Sequence, residues 1–132
     1  MAVGLSAVNL AHAWLNVLRG TTFTGAAGAF AQLHTSAGDP GSAGTSNVSS
    51  VTTRSSITWA APSAGSMALS NTPSWASWAG TNGEVVRYVS SWSASSAGTF
   101  YFSAQLAADK TINTGDTLNL TTLTVALTPI AV

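Results

Sequence analysis

The chain has 132 residues, four Lys/Arg against four Asp/Glu, no net charge and no cysteine. With 6% charged residues, where ordinary soluble domains have about a quarter, its surface must be built from Ser, Thr, Asn, Gly and backbone. This excludes disulfides and thiolate chemistry and disfavours phosphate or anionic-lipid partners, so neither nucleic acid nor membrane is expected.

The length is that of one domain, long enough to bury about two-thirds of its unfolded surface. Zero net charge favours association over mutual repulsion. Residues 1–18 are apolar, but no positive residue precedes them and Asn9, His12 and Asn16 interrupt them, so neither a signal peptide nor a membrane span is expected. Ser6 to Arg19 reads as a helix, with Ser6 as N-cap and Gly20 just past the C-terminus. Leu10, Trp14, Val17 and Leu18 recur at helical spacing as one apolar stripe, suited to covering the sheet or docking on a neighbouring subunit.

After Gly20 the pattern turns to strands. Thr21 to Thr24 and Ala29 to Thr35 are candidates, and in the second Phe30, Gln32 and His34 share one face. A run of breakers follows, with Gly38-Asp39-Pro40-Gly41 and Gly44 joining that strand to a second one over Val51 to Trp59. Ser66 to Ser70 offers Met67 and Leu69 inward. Trp75 and Trp78, three apart, would face opposite sides of one strand, so at least one is expected at the surface.

Glu84 to Ser93 alternates with Val86, Tyr88 and Trp92 on one face and Val85, Arg87 and Val89 on the other. Thr99 to Leu106 places Phe100, Phe102, Ala104 and Leu106 inward and Tyr101 outward, and the short Ala94 to Gly98 join predicts an antiparallel hairpin. In the last strand, Thr117 to Thr128, the alternation slips by one near Thr121-Thr122, which predicts a bulge or bend. The whole is mainly β: an antiparallel β-sandwich or jelly-roll-like single domain over residues 21–132. One short N-terminal helix, within residues 1–20, packs on or beside it.

Chemistry is sparse. His12 and His34 are not spaced as a metal pair, and the only imaginable nucleophilic set is His34 and Asp39 with one of many serines. Asp39 reads better as an Asx-turn former, and Asp109 and Asp116 as turn caps. No phosphate-binding loop or dinucleotide fingerprint is present. No catalytic residue, metal or cofactor is therefore expected. An exposed tryptophan could anchor a protein interface or stack on a sugar.

Several stretches taken together resemble a known group. They are Leu33-His34-Thr35 with Gly38-Asp39-Pro40-Gly41 and Gly44-Thr45, then Leu69-Ser70-Asn71-Thr72-Pro73-Ser74-Trp75, Ala97-Gly98-Thr99-Phe100 and Asn113-Thr114-Gly115-Asp116-Thr117-Leu118. The group comprises small virion structural proteins of tailed bacteriophages, frequent among phages of actinobacteria and labelled tail fibre, minor tail or head decoration proteins. In this chain Ser36-Ala37 stands before Gly38-Asp39-Pro40, where related sequences tend to run on directly, so a longer loop is expected.

The resemblance implies a non-enzymatic virion protein. The compact length favours a capsid decoration protein bound to the particle surface, with a tail-fibre component contacting the host surface as alternative and a carbohydrate-binding module as second alternative. Expected partners are other virion proteins, the major capsid protein or tail proteins, and further copies of the chain, a trimer being one arrangement. The candidate contact residues are Leu10, Trp14, Leu18, His34, Asp39, Pro40, Trp75 and Trp78, on the helix, on the Gly38–Asn47 loop and at the Trp75/Trp78 pair.

Overall fold

The computed structural model describes residues 3–23, 25 and 27–127. In chain order these form β1 (Gly4–Leu5), a π-helical turn (Ala7–Ala11), α1 (His12–Val17), β2 (Phe30–Thr35), β3 (Ser55–Ser56) and β4 (Ser66–Ala68). β5 (Ser74–Trp75), β6 (Glu84–Trp92), β7 (Phe100–Ile112), β8 (Leu118–Asn119) and β9 (Thr124–Ala126) follow. The fold is mainly β, every strand pairing is antiparallel, and the short helix lies at the N-terminus as expected.

The main sheet has the order β1-β7-β6-β2-β3, and two ribbons, β4-β9 and β5-β8, make a second layer. Ala31, Leu33, Val86 and Val89 of the main sheet pack with Trp75, Trp78 and Leu120 of the second layer in one buried cluster. This sandwich-like arrangement leaves the other face of the main sheet, with Phe30, Gln32 and His34, to be covered by something else.

The last predicted strand is broken where its alternation slips. Leu118 pairs with Trp75 in one ribbon and Val125 with Met67 in the other, so the parity change marks a transfer between ribbons. Thr128, its predicted end, lies outside the described residues.

Other expectations need correction. Over Val51–Trp59 only Ser55–Ser56 is strand, because side chains take the backbone groups that a ladder would use. Trp75 Nε1 donates to the Thr53 carbonyl, Gln32 Nε2 to the Val51 carbonyl. Thr21–Phe23 form no strand, and Thr24 lies outside the described residues. In β6 the ladder slips between Val86 and Tyr88, so Val86 joins Val89 in the core instead of facing the other way. A second slip between Ser91 and Trp92 sends Phe102 towards Trp59, ring centroids 6.1 Å apart, and Phe100 towards Trp92 at 5.5 Å. Tyr101, expected outward, is buried with Leu10 and Phe102.

Trp75 and Trp78 are also both buried, at 5% and 1% exposure. β5 stops at Trp75, and Ser77 takes a left-handed φ of 51°, which turns the chain so that both rings enter one core. Two-residue alternation does not apply across such a break.

Candidate interaction surface

The uncovered face of the main sheet is closed by the loop after β2. His34 sits beneath it with no exposed surface. Its Nδ1 lies 2.8 Å from the Ser46 carbonyl, which can only accept, so the proton is on Nδ1. Nε2, 2.7 Å from Ser90 Oγ, therefore accepts from that hydroxyl, and Ser90 Oγ in turn accepts from Trp92 Nε1 at 2.8 Å. Burial lowers the His34 pKa, the Ser46 carbonyl partly offsets this, and the nearby Arg54 lowers it further.

The loop is shaped by its own turns. Gly41 N donates to Asp39 Oδ1 at 2.8 Å, the expected Asx turn, and Ser46 N donates to the Pro40 carbonyl. Gly44 has φ +71°, and a Cβ there would stand 2.4 Å from the Phe100 ring, so the backbone rests directly on that aromatic face. Glu84 holds the loop's far end: its carboxylate accepts from Ser49 Oγ, Ser50 N and Ser50 Oγ. Arg54 stacks 3.8 Å over the Trp92 ring centre and donates to the Ala94 and Ala97 carbonyls.

This geometry answers the possible nucleophilic set. Ser90 and His34 have the spacing of a nucleophile and its base, but a backbone carbonyl stands where a carboxylate would orient the imidazole, and both side chains are sealed in. Both His34 nitrogens are engaged, so Asp39 has no ring N–H to take. Of the other carboxylates, Asp116 Oδ2 accepts from Asn113 N and caps its turn as expected. Asp109 instead lies 3.5 Å from Arg87 Nε. Among the described residues no three His, Asp or Glu gather as metal ligands, and no helix is long and apolar enough to cross a membrane.

The N-terminal segment behaves in the opposite way. Ser6 Oγ accepts from Asn9 N, and the first turn widens, with Ala11 N as well as Leu10 N donating to the Ser6 carbonyl. Gly20 closes the helix at φ +78°: Thr21 N donates to the Asn16 carbonyl and Gly20 N to that of Val17, the Schellman pattern. Leu10 and Trp14 pack on Tyr101 and Phe102, and Asn9 Nδ2 donates to the Phe100 carbonyl.

The remainder of the expected stripe does not follow them inward. Leu18 is 85% exposed and Val17 is exposed too. Among the described residues eight large apolar side chains are exposed, and seven of them lie within residues 3–23: Val3, Leu5, Val8, Leu15, Val17, Leu18 and Phe23. Single exposed apolar residues are ordinary, but this concentration on one segment is not.

The eight candidate contact residues therefore do not form one surface. Leu10, His34, Pro40, Trp75 and Trp78 are interior side chains, Trp14 and Asp39 are half-covered, and Leu18 is open. Val8 and Leu15, outside that set, are exposed as well, and Val8, Ala11, Leu15 and Leu18 repeat at the three-and-four spacing of a coiled-coil seam. A second open element is β7. Beyond Ser103, where β1 ends its pairing, no described strand bonds the outer edge of Ala104–Ile112. An apolar groove of about 460 Å³, lined by Leu106, Leu120 and Leu123 among others, runs beside it.

Residues 5–128 match the family described as "Podophage GP4 fiber I protein gp80". The chain belongs to that family. No curated protein matches it. The fiber I match makes the chain a bacteriophage virion structural protein, located in the virion. The family is named for a fibre, which favours the tail-fibre alternative over the capsid decoration protein taken as the main expectation.

Proposed function

We propose that the chain is a non-enzymatic component of the phage tail fibre, held in place by protein–protein contacts through its N-terminal surface. The observation that carries the tail assignment is the match of residues 5–128 to a fibre family. The contact assignment is supported by Val8, Leu15 and Leu18, which lie in solvent on a helix whose other side is fixed to the sheet. The sparse charge suits such a contact, because few ions need to be stripped of water when the surface is covered.

A carbohydrate-stacking role for Trp75 or Trp78 has no exposed ring to use. The partners we assign are further copies of the chain and neighbouring tail proteins. Immunogold labelling or cryo-EM of intact particles tests the position: density for this chain on the tail is the expected result. Regular density over the capsid surface would return the assignment to a head decoration protein.

A further inference from the structure

Beneath the N-terminal helix a pocket of about 230 Å³ opens, walled by Leu10, Trp14, Phe23, Trp59, Tyr101 and Phe102. The Trp59 N–H is committed to the Gly28 carbonyl at 2.9 Å, so that residue offers the pocket only its ring. Ser91 also lines the pocket. It is 1% exposed, and its Oγ has no hydrogen-bond partner among the described residues. Gly28 leaves that hydroxyl room, since a Cβ there would stand 2.7 Å from Ser91 Oγ. A buried hydroxyl without a partner in an otherwise apolar wall calls for a ligand that supplies one polar atom and little else.

We infer that this pocket receives one phenol-class ring, the side chain of a tyrosine contributed by a different polypeptide of the particle. A cavity of about 150 Å³ suffices for benzene, so the volume admits a phenol. The phenolic hydroxyl both donates and accepts, and so satisfies Ser91 in either sense. A sugar would bring several hydroxyls to a wall with one partner for them, and an aliphatic side chain would leave Ser91 unmatched. A second copy of the chain cannot be the donor: its two tyrosines, Tyr88 and Tyr101, are both buried in their own protomer. Phe23, in the pocket wall, is itself partly open to solvent, at 39% exposure.

The inference does not depend on whether the protein sits on tail or head, and the test begins with the purified protein. Titration with p-cresol, toluene and methyl glucoside is followed by tryptophan fluorescence, to which Trp14 and Trp59 in the wall report. The expected result is saturable binding of p-cresol at least about fivefold tighter than toluene, and no response to the glycoside. Ser91→Ala should bring the two aromatic probes within about twofold while toluene affinity stays unchanged, and Met67→Phe at the lining should weaken both. Equal affinities in the unmodified protein, no binding of either probe, or glycoside binding as tight as p-cresol would overturn the site. In assembled particles, Met67→p-benzoylphenylalanine should photo-cross-link to a tyrosine-containing segment of another protein. A cross-link only between copies, or none, would overturn the polypeptide source even with the p-cresol result intact.

Discussion

The loop after β2 and the helix before it are both poor in charge, yet one is fastened to the protomer along its length and the other leaves Val8, Leu15 and Leu18 in water. The loop is tied by the Asx turn at Asp39, the close approach of Gly44 to Phe100, the His34 relay and the Glu84 clamp. The helix is tied by Leu10, Trp14 and Asn9 on one side only. An apolar side chain with no inward partner is where a folded protein can still gain by association, whereas a polar loop with its bonds made has little left to offer. Changes in the loop should therefore be read in the stability of the protomer, and changes on the outer helix surface in its attachment.

The largest expected effect is at Gly44. Gly44→Ala places a methyl group within the Phe100 ring's contact distance at a left-handed φ. Strain and overpacking each cost about 1–3 kcal/mol, so a loss of about 3 kcal/mol should be measured by urea unfolding. An unchanged midpoint would show that the loop does not rest on the sheet. Glu84→Ala comes next. It removes the acceptor for three donors, two of them on exposed Ser50, and should cost about 2 kcal/mol in the same measurement.

The same contrast shows what could be seen in the sequence. The antiparallel hairpin, the N-terminal helix with its Ser6 and Gly20 ends and the parity slip near Thr121 follow from local rules, and the structure has each of them. The errors lie where one residue resets the count. Ser77 turns the chain so that Trp78 faces the same core as Trp75, and the bulge after Val86 moves it to the core. His34, Asp39 and Pro40 look like exposed features in one dimension, because nothing local reveals that a loop of glycines and serines will fold back over Phe100 and Trp92. The outer seam of the helix was legible at Val8, Leu15 and Leu18, but the Leu10–Trp14 stripe is equally periodic, and periodicity alone does not say which side meets the sheet.

A smaller effect separates the two regions by pH. The unfolded chain protonates His34 near 6.5, and the folded protein does so only at lower pH because burial opposes the charge. The neutral imidazole's contribution is thus complete above about pH 6.5 and is lost as pH falls towards the folded value. The slope is at most about 1.4 kcal/mol per pH unit. NMR ring shifts should show His34 titrating below its ordinary value of 6.5, while exposed His12 plays no part in closing the loop. An imidazole at His34 titrating at its ordinary value would break the relay argument.

The smallest effect on the protomer should accompany the largest effect on assembly. Leu15→Ser with Leu18→Ser removes two exposed side chains that touch little of their own chain, so unfolding free energy should shift by less than about 0.5 kcal/mol. If that surface is covered in the particle, the same change places two hydroxyls against apolar partners, and incorporation into virions should fall by at least about tenfold, a loss of about 1.4 kcal/mol in binding. Quantitative blotting of purified particles against total expressed protein measures it. The control is Thr117→Ala, an exposed position in neither region, which should incorporate normally. Full incorporation of the double variant would mean that the helix surface is not the contact. The open edge of β7 beyond Ser103, with its apolar groove, would then be the next place to look, because an unpaired strand edge can add a strand from a partner.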